Sequence, residues 1–152
     1  MLKIETQPLF ELSLTVEKPL TLGATPYGER RWISVIEGSF EGPQLKGKVL
    51  PGGGDWLLLR HDGIVQQDVR IALQTEDGEL IYMSYRGLRH GPEAVIERLN
   101  RGEEVDPSEY YFCMAPSFET GSKKYAWING VVAVGSGQKT PTGVAYSVYK
   151  VS

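Results

Sequence analysis

An aspartate followed directly by a tryptophan, Asp55-Trp56, is a pair of side chains that could do chemistry. A free aspartate, with a pKa of about 3.9, is a weak base at neutral pH. Burial beside an aromatic ring raises the pKa of a carboxyl group toward the range of a proton-transfer group. In the alternative interpretation, Asp55 caps a turn through backbone N–H groups and Trp56 closes one end of the fold.

Three consecutive glycines, Gly52–Gly54, precede this pair in the segment VLPGGGDWLLLRHDG. A hairpin needs only one glycine with a positive φ. The additional glycines could let a ligand approach the backbone closely, or they could form a loose loop. If the segment folds tightly across the mouth of a cavity, we expect Asp55 and Trp56 to enter that cavity together.

The other reactive side chains offer less chemistry. His61 precedes an Asp-Gly hairpin turn, which predicts a position at the rim of the fold, and His90 precedes the helical segment in a predicted loop. Cys113 has no neighbouring cation and no triad pattern, so we expect a buried strand cysteine. No CxxC or HxxxH spacing indicates a metal site. In nucleotide-binding proteins a glycine-rich loop is followed directly by a helix. The glycine-rich segments 52–54 and 135–137 are not followed by a predicted helix, so the sequence predicts no cofactor.

Length and composition indicate one globular domain, residues 1–152, with 41% hydrophobic and 23% charged residues. The net charge of −3 and scattered basic residues argue against a nucleic-acid partner. The N-terminal stretch MLKIETQPLFELSLTV carries charges every few residues, so we expect neither a signal peptide nor a membrane segment. A single cysteine rules out an internal disulfide and predicts a cytoplasmic protein.

Short strand-like runs between turn signals predict an all-β protein, an antiparallel sandwich or barrel. Nine runs have this character: Phe10–Val16, Trp32–Glu37, Gln44–Leu50, Asp55–Arg60, Ile64–Thr75, Glu79–Gly87, Tyr110–Ala115, Lys124–Val134 and Gly143–Val151. The glycines 135–137 are interpreted as a turn. One segment, Pro92–Arg101, has helical spacing and a glycine stop, which predicts a single short helix that caps one end.

The long strand Ile64–Thr75 has one apolar and one polar face. The apolar odd positions are Val65, Val69, Ile71 and Leu73, and the polar even positions are Gln66, Asp68, Arg70 and Gln74. The polar face could lie in solvent, with Asp68 and Arg70 as an exposed ion pair. In a closed barrel it could instead line the lumen. The apolar face would then need a covering partner, which predicts a homodimer.

Four segments in this order resemble the Domain of Unknown Function 3237 family. They read GERRWISVIEGSFEGPQLKGKVLPGGGDW, RHDGIVQQDVRIALQTEDGELIYMSYRG, YYFCMAPSFETG and YAWINGVVAVG. The resemblance implies a closed antiparallel, lipocalin-like β-barrel with one short helix. Some family members resemble cofactor-free cyclases or isomerases of polyketide-type intermediates. Here Glu37 stands where a second glycine is common, and Cys113 where an arginine is common.

The resemblance assigns the family's site residues to positions in this sequence. The acid–aromatic pair falls on Asp55 and Trp56, and the strand motif on Asp68 and Arg70. Asp55 would transfer the proton, Asp68 would orient Arg70, and Arg70 would stabilise an enolate or phenolate. The aromatic motifs fall on Tyr111, Phe112, Phe118, Glu119 and Trp127. With Tyr82, the residues Trp56, Tyr111, Phe118 and Trp127 could form the substrate-binding walls, or each could be core packing.

These observations favour a cofactor-independent isomerase, cyclase or lyase that acts on an apolar, oxygenated small molecule inside the barrel. A non-enzymatic, lipocalin-type carrier of a small ligand is the alternative, and a barrel filled by its own side chains is a third hypothesis. An enzyme needs an acid with a raised pKa inside the cavity. A carrier needs only an apolar cavity, and a filled barrel has none.

Overall fold

The computed structural model describes all 152 residues as ten antiparallel strands, one α-helix and two short 3₁₀ helices. The strands are β1 (Thr6–Val16), β2 (Leu20–Thr25), β3 (Gly28–Glu41), β4 (Lys46–Val49), β5 (Gly54–Leu59), β6 (Val65–Thr75), β7 (Leu80–His90), β8 (Tyr111–Glu119), β9 (Ala133–Thr140) and β10 (Gly143–Val151). The helix α1 spans Glu93–Asn100, and the 3₁₀ helices span Pro107–Glu109 and Ala126–Gly130.

The strands close into an antiparallel β-barrel with eight positions around its wall, which confirms the predicted fold class. The order is β1-β10-β9-β8-β7-β6, then β4 and β5 together, then β3, which pairs with β1 to close the barrel. The strands β4 and β5 share one position because they pair with successive parts of both β3 and β6. The strand β2 lies outside this circle, against the first half of β3.

The glycines before Asp55 connect β4 to β5, and this connection lies within the barrel wall between β3 and β6. Gly52 has a φ of +106°, a conformation that favours glycine. A Cβ on Gly53 would lie 2.5 Å from the carbonyl oxygen of Arg70 on β6, so no larger residue fits without a shift. Gly53 also accepts a hydrogen bond from the N–H of Val35 on β3. The predicted position across the barrel mouth is therefore wrong: these glycines bring two strands together.

The apolar face of β6 points into the barrel, because the odd positions Val65, Val69, Ile71 and Leu73 are buried. Of the two alternatives for the polar face, the outward one is confirmed, since the even positions lie on the outer face, and the lumen-facing one is wrong. The apolar face is covered inside the barrel, so it no longer supplies an argument for a covering partner. The homodimer itself stays a prediction.

A hydrophobic core fills one end of the barrel and leaves the other end open. Its fully buried members include Leu12, Phe40, Leu73, Ile81 and Ile128. Apolar side chains therefore fill the interior at one end of the barrel, whereas the interior at the other end contains polar side chains and open space.

One strand and one turn assigned from the sequence are wrong, while the helix is confirmed. The run Lys124–Val134 contains the 3₁₀ helix Ala126–Gly130, and β9 begins only at Ala133. Gly135 and Gly137 lie within β9 and face inward, where a Cβ would meet Met114 Sδ at 2.8 Å and the Tyr146 ring at 2.8 Å. These glycines make room for large neighbours and do not form a turn. The short strand β2 was not predicted.

The helices are all too short or too polar to cross a lipid bilayer.

Candidate active site

A cavity of about 370 Å³ occupies the open end of the barrel. Inward-facing side chains of β3, β5, β6, β7, β8, β9 and β10 form its walls, and the β9–β10 turn and Asn100 of α1 lie at its mouth. The side chains that carry the following argument are Asp55, Gln67, Tyr85, Arg89, Phe112, Lys139 and Tyr146.

Asp55 is the acidic residue on the inner wall of this cavity, whereas Glu17 lies exposed at its edge. The Oδ1 atom of Asp55 accepts a hydrogen bond of 2.9 Å from the backbone N–H of Asp68, which has no ladder partner at this point of the β5–β6 pairing. Burial is the largest influence on the carboxyl group and raises its pKa to about 6, while the Asp68 N–H and the positive charge of Arg89 oppose this rise. A carboxylate with this pKa is ionised at neutral pH and is a stronger base than an exposed aspartate.

Arg89 supplies a cation beside Asp55. It lies on the inward face of β7, and its guanidinium carbon stands 5.5 Å from the centre of the Phe112 ring. Burial lowers the pKa of Arg89, whereas electrostatic interactions with Tyr146, Tyr110 and Asp55 oppose this fall. The guanidinium forms no ion pair or hydrogen bond within the protein. A guanidinium remains charged in proteins, so its N–H donors are free for a ligand.

Two buried tyrosines form the wall next to this pair. The rings of Tyr85 and Tyr146 pack edge to face at 5.2 Å, and Tyr146 packs against Phe112 at 5.3 Å. Burial raises the pKa of both hydroxyl groups, so both stay protonated at neutral pH. Because Tyr146 lines the cavity and keeps its proton, its hydroxyl group is a potential hydrogen-bond donor to a ligand.

Gln67 presents an unsatisfied polar atom. The residue is only 4% exposed, and its Oε1 has no hydrogen-bond partner. Gly87 lies opposite on β7, where a Cβ would come within 2.7 Å of this oxygen. The glycine therefore provides the space in which the Gln67 amide sits. A buried amide oxygen without a partner is costly, so Gln67 marks an unusual polar position in the wall of the cavity.

Of the predicted catalytic residues, the structure brings only Asp55 into the cavity. Asp68 and Arg70 occupy even positions of β6 and lie on the outer face, so their predicted place in the lumen is wrong. Trp56 also points outward, where it stacks on Trp32 with ring centres 5.3 Å apart. The reason is the alternation of side chains along a strand, which places neighbours on opposite faces.

The remaining predicted substrate-binding residues do not line this cavity. Tyr82 and Tyr111 are exposed on the outer face. Phe118 is buried in the filled end against Phe10, with ring centres 5.9 Å apart. Trp127 packs against the core from the 3₁₀ helix. These placements correct the predicted aromatic walls, which Phe112, Tyr85 and Tyr146 provide instead.

The other reactive side chains considered in the sequence, His61, His90 and Cys113, also lie outside the cavity. His61 is exposed in the β5–β6 turn, and His90 stacks on Tyr111 with ring centres 4.8 Å apart. Cys113 lies on strand β8, as predicted, but it is half-buried in an outer groove and not buried. That groove is larger, about 660 Å³, but Arg86 is its only charged side chain. The interior cavity, which holds Asp55 and Arg89, is therefore the candidate site for acid–base chemistry. No three His, Cys, Asp or Glu side chains converge as a metal site would require.

Sequence signals could have found part of the site. Gln67 interrupts the apolar face of β6, and Arg89 ends a face of β7 that otherwise holds Ile81, Met83 and Tyr85. A polar side chain on a core-facing strand position is the informative observation, since buried polar groups need partners.

Comparisons with known proteins agree with this architecture. The family model of the protein of unknown function DUF3237 matches residues 4–151. A UPF0311 protein of Clostridium acetobutylicum is 38% identical over 147 residues, which cover 96% of this chain and 93% of the relative. The crystal structure of a β-barrel-like protein from Acinetobacter baumannii has a TM-score of 0.87 and 38% identity, covering 100% of this chain and 98% of the other. An enzyme from Penicillium herquei has the same fold at a TM-score of 0.74 and 21% identity, covering 98% and 95%.

Proposed function

The chain belongs to the DUF3237 family of proteins of unknown function, and we propose that it is a cofactor-independent isomerase, cyclase or lyase. In this proposal Asp55 removes a proton from a carbon next to a carbonyl group of the ligand. The observation that carries the proposal is a carboxyl group with a pKa of about 6 inside a ligand-sized cavity.

The step moves one proton and three electron pairs. A lone pair of an Asp55 carboxylate oxygen takes the proton, the C–H electron pair forms a carbon–carbon double bond, and the carbonyl π pair moves to the oxygen. The protonated Asp55 then returns the proton. In an isomerisation the proton goes to another carbon of a conjugated enolate, and in a cyclisation it goes to the alkoxide that forms when the enolate carbon attacks a second carbonyl carbon. This chemistry is redox-neutral, so it requires no electron acceptor.

Two side chains support the developing negative charge on the oxygen. The guanidinium of Arg89 has N–H donors without protein partners, and the Tyr146 hydroxyl is a protonated donor. Donors in a cavity shielded from water stabilise an enolate more strongly than water does. The rings of Phe112 and Tyr85 make the surrounding wall apolar, which suits an apolar, oxygenated ligand. The Penicillium herquei enzyme has this fold, so the fold is compatible with catalysis.

Exchange of α-protons for deuterium, followed by proton NMR in D₂O, tests the proposal. Bicyclic aromatic ketones such as α-tetralone are suitable because they fit a cavity of about 370 Å³. We expect the protein to accelerate exchange and Asp55→Asn to reduce the acceleration at least about a hundredfold, the usual contribution of a positioned base. Asp62→Asn is the matched control, since Asp62 lies exposed in the β5–β6 turn. Equal acceleration by the wild type and Asp55→Asn would exclude Asp55 as the base.

A non-enzymatic carrier is the second candidate, because a ligand-sized cavity with aromatic walls is all that a carrier requires. In that case saturation-transfer NMR would detect ketone binding in the wild type and in Asp55→Asn, without accelerated exchange in either. For both candidates we further propose a cytoplasmic location, since the free thiol of Cys113 suits a reducing compartment.

A further inference from the structure

We propose that the mouth of the cavity is a carboxylate-binding subsite formed by Lys139 and Arg31, so that the ligand is an organic acid with its carbonyl group deeper in the barrel. The inference rests on the cavity of the proposed function and names the class of its ligand. It adds a binding group that neither the sequence motifs nor the family comparison assigns.

The cavity has a charge opposite to that of the chain. Four basic side chains line it, namely Lys18, Arg31, Arg89 and Lys139, against two acidic ones, Glu17 and Asp55. The whole chain has a net charge of −3. A concave site with an excess of one charge attracts ligands of the other, and its low-dielectric walls strengthen this attraction.

Lys139 is the clearest unpaired cation at the mouth. It occupies an inward position near the end of β9, and its side chain has no ion pair or hydrogen bond. Its backbone N–H donates a 3.0 Å hydrogen bond to the hydroxyl of Tyr110, which fixes the strand at this point. Burial lowers the pKa of the Lys139 ammonium, and the charges of Arg89 and Arg31 lower it further. A bound carboxylate would offset this repulsion.

Arg31 lies on β3 in the wall of the same cavity, near enough for its charge to act on Lys139. Its guanidinium forms a 2.7 Å ion pair with Glu29, which orients it and leaves other N–H donors available. Ile33, two residues further along the same face, pairs with Asp55 across β3 and β5. Two residues of a strand span roughly 7 Å. The subsite and the base are therefore about one ring apart, which fits an acid whose carbonyl lies several carbons from its carboxylate.

Binding of 2-naphthoate and 2-naphthamide, measured by calorimetry at pH 7.5 and low salt, tests the subsite. The two probes share a ring system and differ in charge. We expect the wild type to bind the naphthoate about tenfold more tightly, as one charge-assisted contact provides. Lys139→Gln should remove this preference and leave naphthamide binding unchanged. Lys48→Gln, on the outer face of β4, is the matched control and should keep the preference.

Three results would overturn the inference: equal binding of the two probes by the wild type, no binding of either, or loss of the preference in Lys48→Gln as well. If Lys139→Gln does not give a cooperative melting curve, Arg31→Gln should weaken the preference in the same direction. Asp55→Asn separates this inference from the proposed reaction. It removes a negative charge from the cavity, so naphthoate binding should persist or strengthen while α-proton exchange is lost. Exchange without a naphthoate preference would support the enzyme and reject the subsite.

Discussion

Asp55 and Trp56 are adjacent in sequence and lie on opposite faces of the barrel wall. The Asp55 carboxylate accepts the Asp68 N–H on the cavity side, whereas the Trp56 ring stacks on Trp32 on the outside with an interplanar angle of 5°. Trp56 is 43% exposed and Trp32 is 39% exposed, so this pair is a surface contact between strands β5 and β3. The rise in the pKa of Asp55 therefore comes from burial in the cavity and not from its neighbour in sequence.

Trp56→Ala should destabilise the barrel without affecting ligand binding. A cross-strand aromatic pair contributes about 0.5–1.5 kcal/mol beyond its buried area, so we expect a melting temperature lowered by a few degrees. Binding of 2-naphthamide, measured by calorimetry, should remain within about twofold of the wild type because Trp56 does not line the cavity. A large loss of affinity with unchanged stability would place the tryptophan in the site after all.

Asp55→Asn should raise the stability of the protein above pH 6. The folded-state pKa is raised to about 6 from 3.8, so the folded protein binds more protons than the unfolded chain between these values. The free energy of unfolding of the wild type therefore falls as the pH rises through this window, by about 3 kcal/mol at most. An asparagine at position 55 does not ionise, so the free energy of unfolding does not fall in this way, and its side-chain oxygen still accepts the hydrogen bond from the Asp68 N–H. Melting curves should give a stability difference that grows from pH 4 to pH 7 and then stays constant.

The strand pattern of the sequence predicted the all-β class and the helix, because alternation and turn signals are local. It did not decide which face of β6 lies inside. Two faces of one strand look alike until the opposing strands are known, and an apolar face can pack inward or bind a partner. Gln67, a polar residue among Val65, Val69 and Ile71, marks the point at which this inward face borders the cavity.

Long-range contacts explain the other errors. Gly135 and Gly137 resemble a turn in sequence, yet they accommodate Met114 and Tyr146 from other strands. Tyr146 and Phe112 meet in the cavity although 34 residues separate them, and no spacing rule brings them together. The three glycines and the tryptophan beside Asp55 are unusual in sequence, whereas Arg89 belongs to a strand with an ordinary alternating pattern.

Gly87→Ala should weaken ligand binding through Gln67. The new Cβ would lie 2.7 Å from Gln67 Oε1 and 3.0 Å from the Cys113 carbonyl oxygen, so the flexible amide must move into the cavity. We expect the affinity for 2-naphthamide to fall about tenfold with a modest decrease in melting temperature. Gly121→Ala is the control, since nothing lies within 4 Å of a Cβ at that position. Unchanged affinity in Gly87→Ala would mean that the amide does not border the ligand.

Tyr146→Phe should separate packing from chemistry. The substitution keeps the ring contacts with Tyr85 and Phe112 and removes only the hydroxyl group. We expect 2-naphthamide binding within about threefold of the wild type, whereas α-proton exchange of α-tetralone should slow about a hundredfold, the usual cost of one oxyanion donor. An equal loss in binding and in exchange would indicate that the hydroxyl contacts the ligand before the reaction and stabilises no developing charge.

Arg89→Met should raise the pKa of Asp55 above its value of about 6. The positive charge of Arg89 lowers that pKa, so its removal leaves burial less opposed and favours the protonated acid. The midpoint of the pH–rate profile for exchange should therefore move to higher pH, and carbon NMR of the labelled Asp55 carboxyl should titrate at the same shifted value. Arg86→Met is the matched control, because Arg86 lies on the outer face of the same strand. A midpoint that stays at the wild-type pH in Arg89→Met, or moves equally in Arg86→Met, would show that the guanidinium does not act on the carboxylate across the cavity.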